Sequence, residues 1–426
     1  MKILNAVVHL GGGIGTTLKN FFDMDRSNTH TIACLNPYDE RSMTITNHKI
    51  YYDLKNNYNQ LNSLVESADV VILHWYNHPA YYDLLLNNGL PKCRLIIWAL
   101  ANNLHAPYST PKKLIEMSDK FILSSEASYE SEDYKNLSKE QKDKFDCIWC
   151  SADMSKYYKS PRIKHDTFNI GYAGTIDFNS KLHPEFVSIC KKINDRIENV
   201  HFIVCSSGPH LEKLKQQIEI KGLSDKFEFT GRVDDLRPHL SRMDVFLYTL
   251  YDNHYGTSEQ MLGEAMCSGA IPVVLDNSPE KQIVKNNING IVSTVEDIPS
   301  RIFDLYNDRY KLEELSTNAK ESANKLYDTK VMISKWNVVI QSSLFFPKKE
   351  RKWTMNGSDI FKESIGSLRT VFDENNEKKI IELFKSNNQW VSISKGSIIQ
   401  YALAYPEDEQ LQKWKTIAER ILINEI

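Results

Sequence analysis

No apolar run in this 426-residue chain approaches the roughly 18 residues that a membrane-crossing helix needs. A charge excess of either sign is missing too. The formal net charge is −3, which argues against broad electrostatic binding of nucleic acid. Cysteine is scarce and odd in number, seven in all, and most of the seven sit inside apolar runs. That excludes a disulfide framework and fits reduced, buried thiols. Cys147-Ile-Trp-Cys150 has CxxC spacing, but it lies in a strand-like run with no second pair, so it reads as core packing. No sequence repeat is apparent, and Met1–Asn5 runs into a strand without a signal-peptide layout. A cytoplasmic protein is expected.

What is present is ordinary globular composition, 41% hydrophobic and 25% charged, in a chain too long for one core. Short apolar strands alternate with helical stretches, the rhythm of parallel α/β sheets. In the first half strands are expected at Ile3–Leu10, Thr31–Leu35, Val70–His74, Arg94–Trp98, Lys120–Ser124 and Cys147–Cys150. The polar, aperiodic stretch 157–167 reads as a linker. The second half restarts with Phe168–Ala173, His201–Cys205, Phe227–Phe229, Val245–Tyr248, Ile271–Leu275 and Gly290–Val292. Helices are expected between them, at Glu185–Ile197, Leu211–Lys221 and Pro238–Met243. Residues 298–344 are helical in pattern. From 345 to 426 the strand alternation stops, and a helical appendage is expected around Asp359–Phe372, Glu374–Phe384, Lys395–Ala404 and Glu407–Ile423.

The densest signal is Tyr255 to Leu275. A loop ending in Gly256–Ser258 enters a helix from about Glu259 to Cys267, Ser268-Gly269 stops it, and Ala270–Leu275 reads as a buried strand. The open amides of a helix start attract phosphates. One turn in, Glu264 offers a carboxylate to a diol such as ribose. Together they describe half of a nucleotide pocket.

Ordered motifs carry a resemblance over about residues 1–340. They are Gly11-Gly12-Gly13-Ile14-Gly15, the run Trp149-Cys150-Ser151-Ala152-Asp153 to Tyr158, and Gly171-Tyr172-Ala173-Gly174. Ser207-Gly208-Pro209, Phe229-Thr230-Gly231-Arg232-Val233 and Gly263-Glu264-Ala265 through Val274 follow, then Asn289-Gly290. The set resembles the GT-B glycosyltransferases, close to retaining family 4. The resemblance implies two Rossmann-like domains facing a cleft. The acceptor domain would be 1–160 plus a crossing helix near 333–344, and the nucleotide-sugar donor domain 165–330. It also implies a metal-independent hexosyltransferase-like enzyme working on a glycan, glycolipid or protein-linked acceptor, in bacterial surface polysaccharide or glycoconjugate synthesis.

Site residues follow from the same motifs. By resemblance Glu264 bonds the ribose, while Met261, Leu262 and Gly263 present backbone to the diphosphate. Lys181 stabilises the leaving phosphate as one half of a basic pair; Thr175 stands where the other, an arginine, is expected. Gly13, Gly15, Gly174, Ser207 and Gly208 allow close approach to the donor, and Arg232 with Val233 forms the base-binding corner. The dinucleotide fingerprint itself fails, because Thr16 stands where Gly or Ala is needed. The family's first glutamate, eight residues before Glu264, is here Gly256; Asp252 and Glu259 are near but at the wrong spacing. Tyr255, Gly256, Thr257 and Ser258 would then meet the sugar through main chain and hydroxyls, with a plain polar loop as the other reading.

His105 is expected near the transferred sugar, and His74 with Trp75 near the acceptor. A hydrogen-bonded loop role is the other reading for His105, His74 and His78. Asp23-Met24-Asp25 has the spacing of a metal-holding DxD, but it ends a helix directed away from the strand carboxyl ends, so no metal is expected. Phe345 to Trp353 mixes aromatic and basic residues. It reads either as a charged linker or as a peripheral contact with an anionic membrane face. No cofactor is expected; the donor is a substrate, with a UDP-sugar favoured over a GDP-sugar. A non-catalytic nucleotide-sugar-binding partner subunit and a sugar-nucleotide epimerase of the same fold are the rival readings, and a nicotinamide oxidoreductase ranks below both.

Overall fold

The computed structural model describes residues 1–40, 42, 44–85, 89–151, 153–353, 355–391 and 396–423. Ala152 and Lys395, part of two stretches named above, lie outside them. The chain divides into two compact units: residues 1–150, 255–257 and 329–426 form unit 1, and residues 151–254 with 258–328 form unit 2.

Unit 1 is built on β1 (Lys2–Val7), β2 (Thr29–Cys34), β3 (Lys49–Tyr51), β4 (Val70–Trp75), β5 (Leu90–Cys93), β6 (Leu95–Ala99), β7 (Lys120–Leu123) and β8 (Phe145–Cys147). All but β5 make one parallel sheet in the order β3-β2-β1-β4-β6-β7-β8. Its central strands are buried along nearly their whole length, as strands covered on both faces are. Helix α1 (Gly12–Met24) follows β1, with Leu18, Phe21 and Phe22 on its buried side.

Unit 2 carries β9 (Phe168–Thr175), β10 (Val200–Ser207), β11 (Phe227–Phe229), β12 (Val245–Tyr248), β13 (Ile271–Leu275) and β14 (Ile291–Ser293). They form a parallel sheet in the order β11-β10-β9-β12-β13-β14. Strand order reverses between β9 and β12, and such a switch point is where open α/β sheets bind ligands, outside the strand carboxyl ends. Helices α2 (Ser155–Tyr158) and α3 (Gln260–Cys267) belong to this unit. Residues 157–167, expected as a linker, are part of it: Arg162 donates to the Met243 carbonyl, and Ile163 N–H bonds the Ser241 carbonyl at 3.0 Å.

Helix α4 (Thr329–Ser343) belongs to unit 1, where Trp336 meets Trp98 at 4.8 Å between ring centroids. The residues beyond it, expected as an appendage, share the core of unit 1. Strand β15 (Lys349–Arg351) pairs antiparallel with β5. Helices Gly357–Ser364, Glu377–Ser386, Ile398–Ala404 and Glu409–Leu422 send Phe361, Phe384, Tyr401 and Trp414 into the same apolar cluster as Leu73, Tyr82 and Leu95. Asn77 ties the two parts together, its amide reaching the Pro107 carbonyl at 2.5 Å and the Ser364 carbonyl at 3.0 Å. No helix is long and apolar enough to cross a membrane among the described residues.

Candidate functional site

The carboxyl ends of β9, β10 and β12 in unit 2 gather most of the expected donor residues. Gly174 and Thr175 end β9 and pair in register with Ser206 and Ser207 at the end of β10. Thr175 and Ser207 are exposed. A Cβ on Gly208 would stand 2.4 Å from the Ile176 carbonyl oxygen, so this glycine lets the two loops touch. Arg232 is exposed and Val233 partly buried in the loop after β11.

Helix α3 starts beyond β12, on the other side of the switch point. Its N-cap, Glu259, has a left-handed φ of 28°. The Glu259 carbonyl accepts from the N–H groups of Leu262 and Gly263, while Met261 is partly exposed. Leu262 is wholly buried and serves as core. Gly263 was expected to let a diphosphate approach; the structure gives it another task. A Cβ there would stand 2.5 Å from the Tyr327 ring. Tyr327 in turn donates its hydroxyl to the Ser258 carbonyl at 2.5 Å, so the missing side chain is what lets this tyrosine brace the helix start.

Glu264, one turn into α3, is buried and accepts a hydrogen bond from Tyr157 of α2. Burial pushes its carboxyl above the ordinary value, against the pull of Tyr157 and Lys156. Tyr157 is the first residue of the stretch expected as a linker, and nothing in the sequence pairs it with Glu264. Lys181, six residues beyond Thr175, lies with its Nζ 3.0 Å from both carboxylate oxygens of Glu259. The Tyr248 hydroxyl donates to Glu259 Oε2 at 2.5 Å. Burial pushes the Glu259 carboxyl up, but Lys181, His254 and Tyr248 outweigh it and hold the group below its ordinary value.

Unit 1 places the remaining residues. Gly12 and Gly13 are exposed at the start of α1, at the carboxyl end of β1, while Gly15 is buried. His105 is exposed in the loop after β6. His74 and Trp75, expected at an acceptor, are wholly buried core residues of β4. His74 Nε2 lies 3.0 Å from Asn5 Oδ1, and the ring packs on Trp98. A sugar reaches neither side chain. Tyr255, Gly256 and Thr257 are likewise engaged: Asn102 bonds the carbonyls of Tyr255 and Gly256, and the Thr257 hydroxyl lies 3.1 Å from that of Ser124. With the Ser258 carbonyl held by Tyr327, three carbonyls and one hydroxyl of this loop, expected to read the donor sugar, already have protein partners.

Asp25 of the DxD spacing is a buried partner of His30, at 3.0 Å, and is held down to about 2; burial opposes that shift, and the bonds from His30, Asn28 and Ser27 outweigh it. Cys147 and Cys150 are free thiols, as are the other five cysteines.

The family described as Glycosyl transferases group 1 matches residues 153–323. The matched stretch spans nearly all of unit 2. Among curated proteins, the 2-deoxystreptamine N-acetyl-D-glucosaminyltransferase of Niallia circulans is 26% identical over 153 residues, covering 35% of this chain and 37% of that protein. The match thus spans little more than a third of its relative. Among solved structures, Anabaena Alr3699/HepE in complex with UDP superposes with a TM-score of 0.63 at 14% identity, covering 80% of this chain and 100% of the other. Sucrose-phosphate synthase from Thermosynechococcus elongatus gives 0.60 at 13% identity, covering 80% and 98%. Two parallel sheets with flanking helices and these neighbours make the fold GT-B.

Proposed function

We propose that the protein is a glycosyltransferase that takes a sugar from a nucleotide-sugar and holds the nucleotide and diphosphate on unit 2. The observation that carries this reading is the placement of Lys181 and Glu264 on the elements that leave β9 and β12, the two strands bordering the switch point. A carboxylate one turn inside a helix suits a ribose diol, and the helix start with a nearby ammonium suits a diphosphate. Negative charge grows on the departing phosphate as the glycosidic bond breaks. A fixed cation and oriented amides act most strongly on that charge, so their effect falls on turnover.

The finer features are part of the same proposal. Transfer proceeds with retention of anomeric configuration and without a metal ion, as in family 4. UDP is the favoured nucleotide, since the Anabaena neighbour is a UDP complex and the Niallia relative is an N-acetylglucosaminyltransferase. The acceptor is a carbohydrate or lipid-linked glycan of bacterial surface polysaccharide or glycoconjugate synthesis, met in the cytoplasm at the inner membrane face. Phe345, 91% exposed, supports such a peripheral contact.

Thermal-shift titration with UDP, GDP, ADP and their sugars tests the reading, because a ligand that binds only the folded state raises its melting point. UDP and UDP-sugars are expected to raise Tm, and Glu264→Ala to abolish the rise. An undiminished rise in the variant removes Glu264 from the site. Nucleotide binding without sugar transfer in cell extract assigns the chain to the partner-subunit reading.

A further inference from the structure

Behind Lys181 lies a group of charges that nucleotide binding does not use. Glu259 holds the lysine ammonium on one side, and on another it faces His254 Nδ1 at 3.9 Å. His254 Nε2 in turn lies 2.9 Å from Glu280 Oε1. The His254 and Glu280 side chains are 1% and 0% exposed, and among the described residues neither Glu280 oxygen accepts a hydrogen bond. A buried carboxylate without hydrogen bonds persists only against a compensating charge. Two glutamates and one lysine leave one negative charge over, and a second ring proton on His254 cancels it.

A proton held by Glu280 would remove that charge instead; a metal ion is another way to supply it, since the ligand atoms of His254, Glu259 and Glu280 lie within 4.8 Å of one another. The geometry disfavours it. Each carboxylate faces a different ring nitrogen, and Lys181 already takes both oxygens of Glu259. A doubly protonated ring sets one positive charge between them, 3.9 Å from Glu259 and 2.9 Å from Glu280, by proximity rather than by hydrogen bonds, since among the described residues His254 Nε2 makes none either.

We propose that Glu259 is a positioning residue for Lys181, and that a doubly protonated His254 wedged between Glu259 and Glu280 fixes it in place. The inference rests on the donor-binding reading of Lys181. The quartet Lys181, Glu259, His254 and Glu280 is neutral in sum, and the Tyr248 hydroxyl completes the bonding of Glu259. A diphosphate that draws the ammonium toward itself leaves Glu259 leaning on His254, so the histidine registers donor arrival.

Nitrogen NMR of the full chain with isotope-labelled histidine tests this, with His254 assigned by loss of its signals in His254→Gln. At neutral pH both ring nitrogens are expected at protonated positions, and Glu280→Gln is expected to convert them to a neutral tautomer. A neutral pattern in the unaltered protein overturns the charged quartet. A change on adding zinc or EDTA overturns it in favour of a metal. UDP is expected to shift the His254 signals, UMP to leave them in place, and Lys181→Met to abolish the response. UDP that binds without moving them overturns the positioning role. If neither UDP nor GDP binds, the donor reading and the positioning role fall together, while the donor-free spectrum still decides the charge on His254.

Discussion

Arg351 donates to Asp119 Oδ2 at 2.6 Å, with both side chains about 5% exposed. The same carboxylate oxygen accepts the Leu95 N–H at 2.8 Å, so a residue near the start of the final segment anchors the loop between two strands of the first sheet. Removing one partner of such a pair leaves a bare buried charge. Arg351→Met is expected to destabilise unit 1 by about 3 kcal/mol, read as a lower urea midpoint of its transition. A midpoint within error of the unaltered protein would mean that the pair is not closed in solution.

Acid should weaken the same unit through His74. Burial depresses this group to about 3, with the nearby His30 adding to the effect. The unfolded chain therefore takes up a proton below about pH 6.5, while the folded chain refuses it until about pH 3. Stability is full above the upper value and declines as pH falls between the two, by on the order of 5 kcal/mol for a shift of this size. His74→Gln is expected to be less stable at neutral pH yet to show a shallower fall of Tm with acid. Parallel Tm–pH curves would count against His74 as the source.

Gly263 offers a packing test. Its added Cβ would press on the Tyr327 ring, so Gly263→Ala is expected to cost about 1–3 kcal/mol, as overfilled cores do. The pair Gly263→Ala with Tyr327→Ala should cost less than the sum of the two single changes, since the smaller side chain makes room. Strict additivity in denaturation would separate the two positions.

Thr175 stands exposed at the end of β9, where the resemblance implies an arginine. Thr175→Arg is expected to tighten UDP binding about tenfold, about 1.4 kcal/mol, through charge-assisted bonds to the diphosphate. UMP binding should change little. Calorimetry with both nucleotides decides it, and an equal gain for both would place the effect away from the diphosphate.

Much of the sheet architecture was legible because β4, β6, β12 and β13 are continuous apolar runs, which only doubly covered strands can be. Strands β3, β5 and β15 were not foreseen. The first is a three-residue edge, and the second contains Pro91 and pairs outside the main sheet. The final helices were visible as amphipathic stretches, but a stripe of apolar residues does not say which surface it covers. Here that surface is the first sheet. At the site, motif order marked Glu264 and Lys181. The bond of Lys181 to Glu259 was hidden, because a glutamate at a helix start ordinarily faces water. His74 and Trp75 failed in the opposite sense, since polar and aromatic residues at the end of a strand read alike whether they line a pocket or fill a core.

The interleaving of the two units along the chain has a practical consequence for protein engineering. A transplant of unit 2 into another scaffold needs cuts at Cys150/Ser151 and at Asp328/Thr329, because the downstream stretch folds with the upstream one. Expression of residues 1–150 alone would strip Trp98 of Trp336 and Tyr82 of Tyr401, baring aromatic surface that invites aggregation. Residues 1–150 and 329–426 therefore belong in one expressed piece if that shared core is to be complete.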